Sequence, residues 1–153
     1  MAIQNEWVRG LLAKRPYLEL EKLKRTCREM DSHFPKSLVH GYEDLIPNLQ
    51  LPDDNDKHVL AVAISVKAKY IVTFNLKDFP ASALTPYQVT AISPDDFVLR
   101  VIEYAEDSFI DIVARHRSIL TRPQKTVEQY LATLEQQKLL KTVAFLRKHK
   151  DKI

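Results

Sequence analysis

The chain has 153 residues, 45% of them hydrophobic, so it is the size of one domain with at most a small appended piece and has ample material for a packed core. Two glycines in the whole chain leave little for tight hairpins or glycine-rich phosphate loops, which argues against an all-β architecture. The formal net charge of +3 tolerates a nucleic acid partner without implying one, and the single Cys27 rules out an internal disulfide framework or a cysteine-rich zinc site.

In chain order, apolar residues recur at helical spacing from Asn5 to Ala13 and from Leu18 to Met30, with Pro16 as a break, predicting two helices. "KSLVHGY" (36–42) reads as a short strand. "EDLIPNLQLPDDND" is a turn-rich connection in which Pro47 and Pro52 forbid a long regular element. From Asp54 to Lys67 the pattern is a buried helix, with Asp54 or Asn55 as N-cap. "YIVTF" (70–74) is a β-branched and aromatic run expected of a strand buried on both faces, and "YQVTAI" (87–92) is a further strand. Strand, helix and strand at this spacing predict a βαβ unit and a parallel sheet.

Past Ile92 the character turns helical. Ser93 as N-cap, Pro94 at the first helical position and Asp96 three residues beyond the cap open a long amphipathic helix. Thr126 and Gln129 stand in capping-box register, and "LLKTVAFLRKHKDKI" closes the chain as a helix with a basic end. The expected division is an α/β domain over residues 1–93 and a helical extension over 94–153. "MAIQNEWVRGLL" lacks the apolar core of a signal peptide and no apolar run reaches bilayer-spanning length, so the sequence predicts a soluble cytoplasmic protein with no membrane partner.

The acids fall in informative places. In a parallel α/β sheet the helix N-termini and the C-terminal ends of the strands share one rim, where open α/β folds bind ligands. Asp53, Asp54 and Asp56 precede or open a helix, and Asn75 and Asp78 follow a strand. Glu6 reaches the same rim if the first helix also packs antiparallel to the strands. Crowded carboxylates raise one another's pKa unless a cation neutralises them, and an all-oxygen ligand set suits Mg²⁺ or Mn²⁺. Each residue also has an ordinary role open to it: Asp53 and Asp54 as turn and cap, Asp56 as a complement to the helix dipole, Asp78 as a turn residue before Pro80, and Glu6 as a solvated first-turn acid. His40 and His58 have no i+4 partner for a metal and read as ordinary.

Residues 53–64, with Asp53, Asp56 and the run His58 to Ile64, and then Ile71 to Pro80 ("IVTFNLKDFP"), resemble the PIN domain family, in particular its VapC-type toxins. The resemblance covers about residues 3–98, and the helical remainder resembles the extra C-terminal domain of one VapC subgroup. It implies a three-layer parallel α/β fold and metal-dependent cleavage of RNA by an endoribonuclease. By the same resemblance Glu6, Asp56 and Asp78 are the metal-holding and catalytic acids, Mg²⁺ or Mn²⁺ is the cofactor, and Thr73 and Asn75 position substrate or water. The implied partners are RNA and an antitoxin protein. One departure stands out: the family's first strand, with its acid, would precede the Glu6 segment, and it is absent here. The sequence therefore predicts an N-terminally truncated sheet and impaired activity for this chain alone, with either completion by an N-terminal fragment or an inactive remnant, and an exposed groove that favours a partner or self-association. The competing expectation is a non-catalytic PIN-like protein that binds an antitoxin or RNA.

Overall fold

The structure is a computed structural model that describes residues 2–153. It is mostly helical, with one small two-stranded parallel sheet. By internal contacts it divides into two compact units, residues 1–71 with 77–90, and residues 72–76 with 91–153.

The first unit opens with α1 (Ala2–Lys14) and α2 (Leu20–His33), the two helices expected around Pro16. They pack on one another and are tied by Gln4, whose amide donates to Asp31 Oδ1 at 2.6 Å. The polar excess of α2 leaves it without a single buried residue, and Ile3, Trp7, Met30 and Phe34 of this segment stay substantially exposed.

The expected strand at 36–42 does not form. Pro35–Ser37 make a 3₁₀ turn instead, and residues 38–42 join no strand. A short stretch of modest β-propensity becomes a strand only where a neighbour offers a ladder. Two more 3₁₀ turns, Glu43–Asn48 and Asp54–Asp56, lead to α3 (Lys57–Ser65). The cap here is Asp53 rather than Asp54 or Asn55: its carboxylate accepts from the Asn55 N–H and from the Asn55 side-chain amide, both at 2.9 Å. Leu60, Ala61 and Ala63 of α3 are buried, as are Tyr42, Leu49, Ile71, Phe79, Leu84 and Val89 of the same unit.

Strands β1 (Tyr70–Val72) and β2 (Thr90–Ile92) are joined through the short α4 (Ala81–Leu84) and run parallel, as the strand–helix–strand spacing predicts. In the first unit the Thr90 N–H donates to the Lys69 carbonyl (3.0 Å), and in the second the Thr73 N–H donates to the Ile92 carbonyl (2.9 Å). β1 is shorter than expected and is not buried on both faces: Ile71 is buried but Val72 is exposed, because a two-stranded sheet offers too little surface to cover both sides.

In the second unit α5 (Pro94–Ile119) begins as its sequence requires, with Ser93 Oγ accepting from the Asp96 N–H at 3.1 Å and donating to Asp96 Oδ2 at 2.6 Å. Its helical dihedrals break once, at Ala105 (φ −151°, ψ 61°), where neither proline nor glycine stands. α6 (Val127–Gln136) carries the complete capping box of Thr126 and Gln129, and α7 (Leu140–Arg147) is succeeded by a 3₁₀ turn at Lys150–Lys152. The core of this unit is Ile110, Val113, Tyr130, Leu131, Val143, Leu146 and Ile153.

Asp95 locks α7 onto α5. Its buried carboxylate accepts from the N–H groups of Lys141 and Thr142 (2.8 and 2.9 Å) and from the Thr142 hydroxyl (2.7 Å), so a residue in the first turn of one helix satisfies the orphan N-terminal donors of another. Burial pushes this carboxyl up, but those three donors together outweigh it and hold its pKa below the usual value.

With so few glycines, left-handed positions fall to other residues. Lys67 (φ 53°) and Lys138 (φ 63°) both stand where a helix-ending Schellman motif usually has glycine. At the second, the Lys138 N–H reaches the Glu135 carbonyl (2.8 Å) and the Leu139 N–H reaches the Leu134 carbonyl (3.1 Å).

Candidate functional site

The first unit gathers its acids around Asp56, the last residue of the 3₁₀ turn that leads into α3. Asp53 stands three residues earlier, Glu6 comes from α1, and Asp78 ends the 3₁₀ turn Leu76–Asp78 after β1. Desolvation is the main reason why the Asp56 carboxyl titrates above its usual range, and the negative charges of Asp53, Asp78 and Glu6 push it further, with His58 opposing them. A carboxylate opposed by three others is a site that lacks positive charge.

Glu6 and Asp78 therefore both lie within electrostatic reach of Asp56. They do not form a closed cage: among the described residues no group of three His, Cys, Asp or Glu side chains is arranged to hold a metal ion. The chemistry of the donors, all carboxylate oxygens, fits a hard divalent cation, while the ligand spacing is open.

Asp53 and Asp54 have structural work to do in the turn. Asp53 caps it, and Asp54 pairs with Lys57 at 2.8 Å. Residue-type reasoning passed over His58, which the fold puts beside the acids. Its Nδ1 lies 2.6 Å from the Asn55 carbonyl, an atom that can only accept, so Nδ1 carries a proton. Nε2 is thereby turned toward Glu6 Oε2 at 3.6 Å, beyond hydrogen-bond range, and is buried without a hydrogen-bond partner. The signal for it was present in "DNDKHVL", where a residue two beyond Asp56 stays on the same first turn of helix, but a search for paired histidines misses a histidine that faces an acid from another helix.

Thr73 and Asn75 belong to the second unit, directly after β1. The Asn75 N–H donates to Thr73 Oγ1 at 3.0 Å, fixing a tight bend that turns Phe74 outward, where it is 59% exposed. The Lys138 ammonium of the α6–α7 turn stands 5.9 Å from the centre of the Phe74 ring. Of the basic end, Arg147 is engaged with Glu135 at 2.9 Å.

Comparison with known proteins finds two likenesses. Residues 94–148, within the helical second half, match the family model of the VapC50 C-terminal domain. The chain is also 38% identical over 107 residues to a protein of Mycobacterium tuberculosis named "Putative ribonuclease VapC50", an alignment that takes in 63% of this chain and 63% of that protein. An alignment of that length reaches beyond the C-terminal domain into the acid-bearing half. The two findings agree with a VapC-type PIN protein that has a C-terminal extension. The chain spans less than two thirds of that relative's length. No solved structure matches the chain. Among the described residues no helix is long and apolar enough to cross a membrane.

Proposed function

We propose that the chain is a VapC-like endoribonuclease subunit, with a PIN-like three-layer domain over residues 1–93 and a helical domain over 94–153, that cleaves single-stranded RNA with the help of Mg²⁺ or Mn²⁺. The observation that carries this reading is the carboxylate field around Asp56: three acids from separated segments disfavour its ionisation, and a divalent cation relieves all four at once. Glu6, Asp56 and Asp78 would hold the ion, which when bound supplies positive charge for an attacked phosphate and acidifies a bound water. The similarity to a protein named as a ribonuclease favours phosphodiester hydrolysis over other chemistry at such a site.

The chain's own residues have defined parts in this reading. Asp56 and Asp78 would present oxygens to the cation, and His58 brings its Nε2 to 3.6 Å from the Glu6 carboxylate. Thr73 and Asn75 offer a hydroxyl and an amide for a phosphate or water. The exposed apolar residues of α1 and α2 suit a protein partner, which in a toxin–antitoxin pair would be the antitoxin, and would equally receive a second copy of the chain. The setting would be the cytoplasm.

A second reading is favoured by the open spacing of the acids. In it the protein binds RNA or an antitoxin and does not hydrolyse. One assay separates the two: a labelled single-stranded RNA is incubated with the purified chain and Mn²⁺, with Asp56→Asn and with chelator as controls. The nuclease reading requires cleavage that both controls abolish. Binding without cleavage at any Mn²⁺ concentration would establish the second reading.

A further inference from the structure

We infer that Phe74 and Lys138 form a platform for one unpaired base and its phosphate, so that the C-terminal helical domain takes part in holding single-stranded RNA. The inference rests on the RNA reading above and adds to it a site within the second unit.

Phe74 is apolar at every side-chain atom, yet 59% of it faces solvent on a bend fixed by the Thr73 hydroxyl. A ring held out in this way by a short hydrogen-bonded turn keeps its orientation at little entropic cost, and every nucleobase has a π-face that can stack on it. Lys138 supplies the second half. Its ammonium lies 5.9 Å from the ring centre, at the outer limit of a cation–π contact, and among the described residues no carboxylate takes it as an ion-pair partner. A cation held over an exposed ring by so weak a contact can give way to a base on that face and turn to its phosphate. An exposed aromatic ring with a cation close by is the arrangement that binds single strands without reading their sequence. A purely apolar protein partner would gain from Phe74 and lose by desolvating the ammonium, so the charge favours nucleic acid.

The fold makes this testable without damage. Lys138 occupies a left-handed position that suits glycine better than lysine, so Lys138→Gly removes the cation and leaves the turn intact. Phe74 is exposed, so Phe74→Ala removes the ring with little effect on melting. Binding of a fluorescein-labelled single-stranded RNA of about ten nucleotides is tracked by anisotropy on the full chain, with chelator to prevent cleavage and over a range of NaCl. Phe74→Ala is expected to weaken binding at least about fivefold, in keeping with one lost stacking contact, and Phe74→Trp to retain it. Lys138→Gly is expected to lower the slope of log affinity against log salt by about 0.7, and Lys138→Arg to restore it. A fully paired duplex should show no dependence on Phe74. If the wild type binds the single strand and both Phe74→Ala and Lys138→Gly bind within about twofold of it, the platform is wrong while the RNA reading stands. If the wild type binds no RNA, both fall together.

Discussion

At Asp56 stability and function pull in opposite directions. Its carboxyl titrates above the usual value, so the folded state holds a proton over a pH range in which the unfolded chain has already released it. Stability must therefore fall as pH rises from the usual carboxylate value through the raised one, and stay level above. Asp56→Asn cannot ionise, so this variant should melt at a higher temperature than the wild type at neutral pH and lose the difference at pH 3, while losing all Mn²⁺-dependent cleavage. Thermal melts at several pH values check the first part. A neutral-pH melting point at or below that of the wild type would mean that burial and the neighbouring acids do not disfavour the Asp56 charge. Added Mn²⁺ should raise the wild-type melting temperature more than that of the variant, which keeps Glu6 and Asp78 but lacks one of the three carboxylates proposed to hold the cation.

On the scale of elements, Asp95 ties the start of α5 to the start of α7, beside the apolar core that Ile110 and Val113 share with Val143 and Leu146. Asp95→Ala leaves the Lys141 and Thr142 amides and the Thr142 hydroxyl without their acceptor, an expected loss of about 2–4 kcal/mol, whereas Thr142→Val loses only the hydroxyl bond, about 1 kcal/mol. Denaturant titrations of the two variants test the ranking. The pH dependence has the opposite sign to that of Asp56. With its folded pKa held below the usual value, the Asp95 carboxylate contributes stability that is present above the unfolded pKa and is lost as pH falls through the lowered one. The helix ends offer a gain instead of a loss: Lys67→Gly and Lys138→Gly each remove a side chain from a left-handed position, and each should stabilise by about 0.5–1 kcal/mol. A fall in the melting temperature of either would show that the lysine side chain contributes more to the fold than its backbone strain costs.

For the whole molecule, the unit formed by residues 72–76 and 91–153 has a hydrophobic core of its own, and residues 94–148 of it match the family model of the VapC50 C-terminal domain. A fragment of residues 91–153 is expected to be helical and to melt cooperatively, though at modest temperature because a core of about 60 residues is marginal. Circular dichroism on heating tests this, and a fragment without helical signal would show that the core depends on the rest of the chain.

Much of this was legible in the sequence, for a physical reason that recurs. Ser93 with Asp96, and Thr126 with Gln129, are caps made between residues three apart, so the spacing alone fixes the partner. Pro16 marks the break between α1 and α2 because proline cannot continue a helix, and the β-branched run before Thr73 marks β1. The motif around Asp56 and Asp78 pointed to the same class of protein that the comparisons did. The tertiary structure decided the rest, because it concerns partners distant in the chain. "KSLVHGY" has strand-like residues but no neighbour to pair with, so it stays irregular. His58 reads as ordinary until α1 brings Glu6 to it, 52 positions away in the numbering. Asp95 looks like one more first-turn acid until α7 arrives with Lys141 and Thr142, and Phe74 looks like part of a buried strand until the Thr73–Asn75 bend turns it out beside Lys138. Local hydrogen bonds are written in spacing. Long-range ones exist only once the chain has folded.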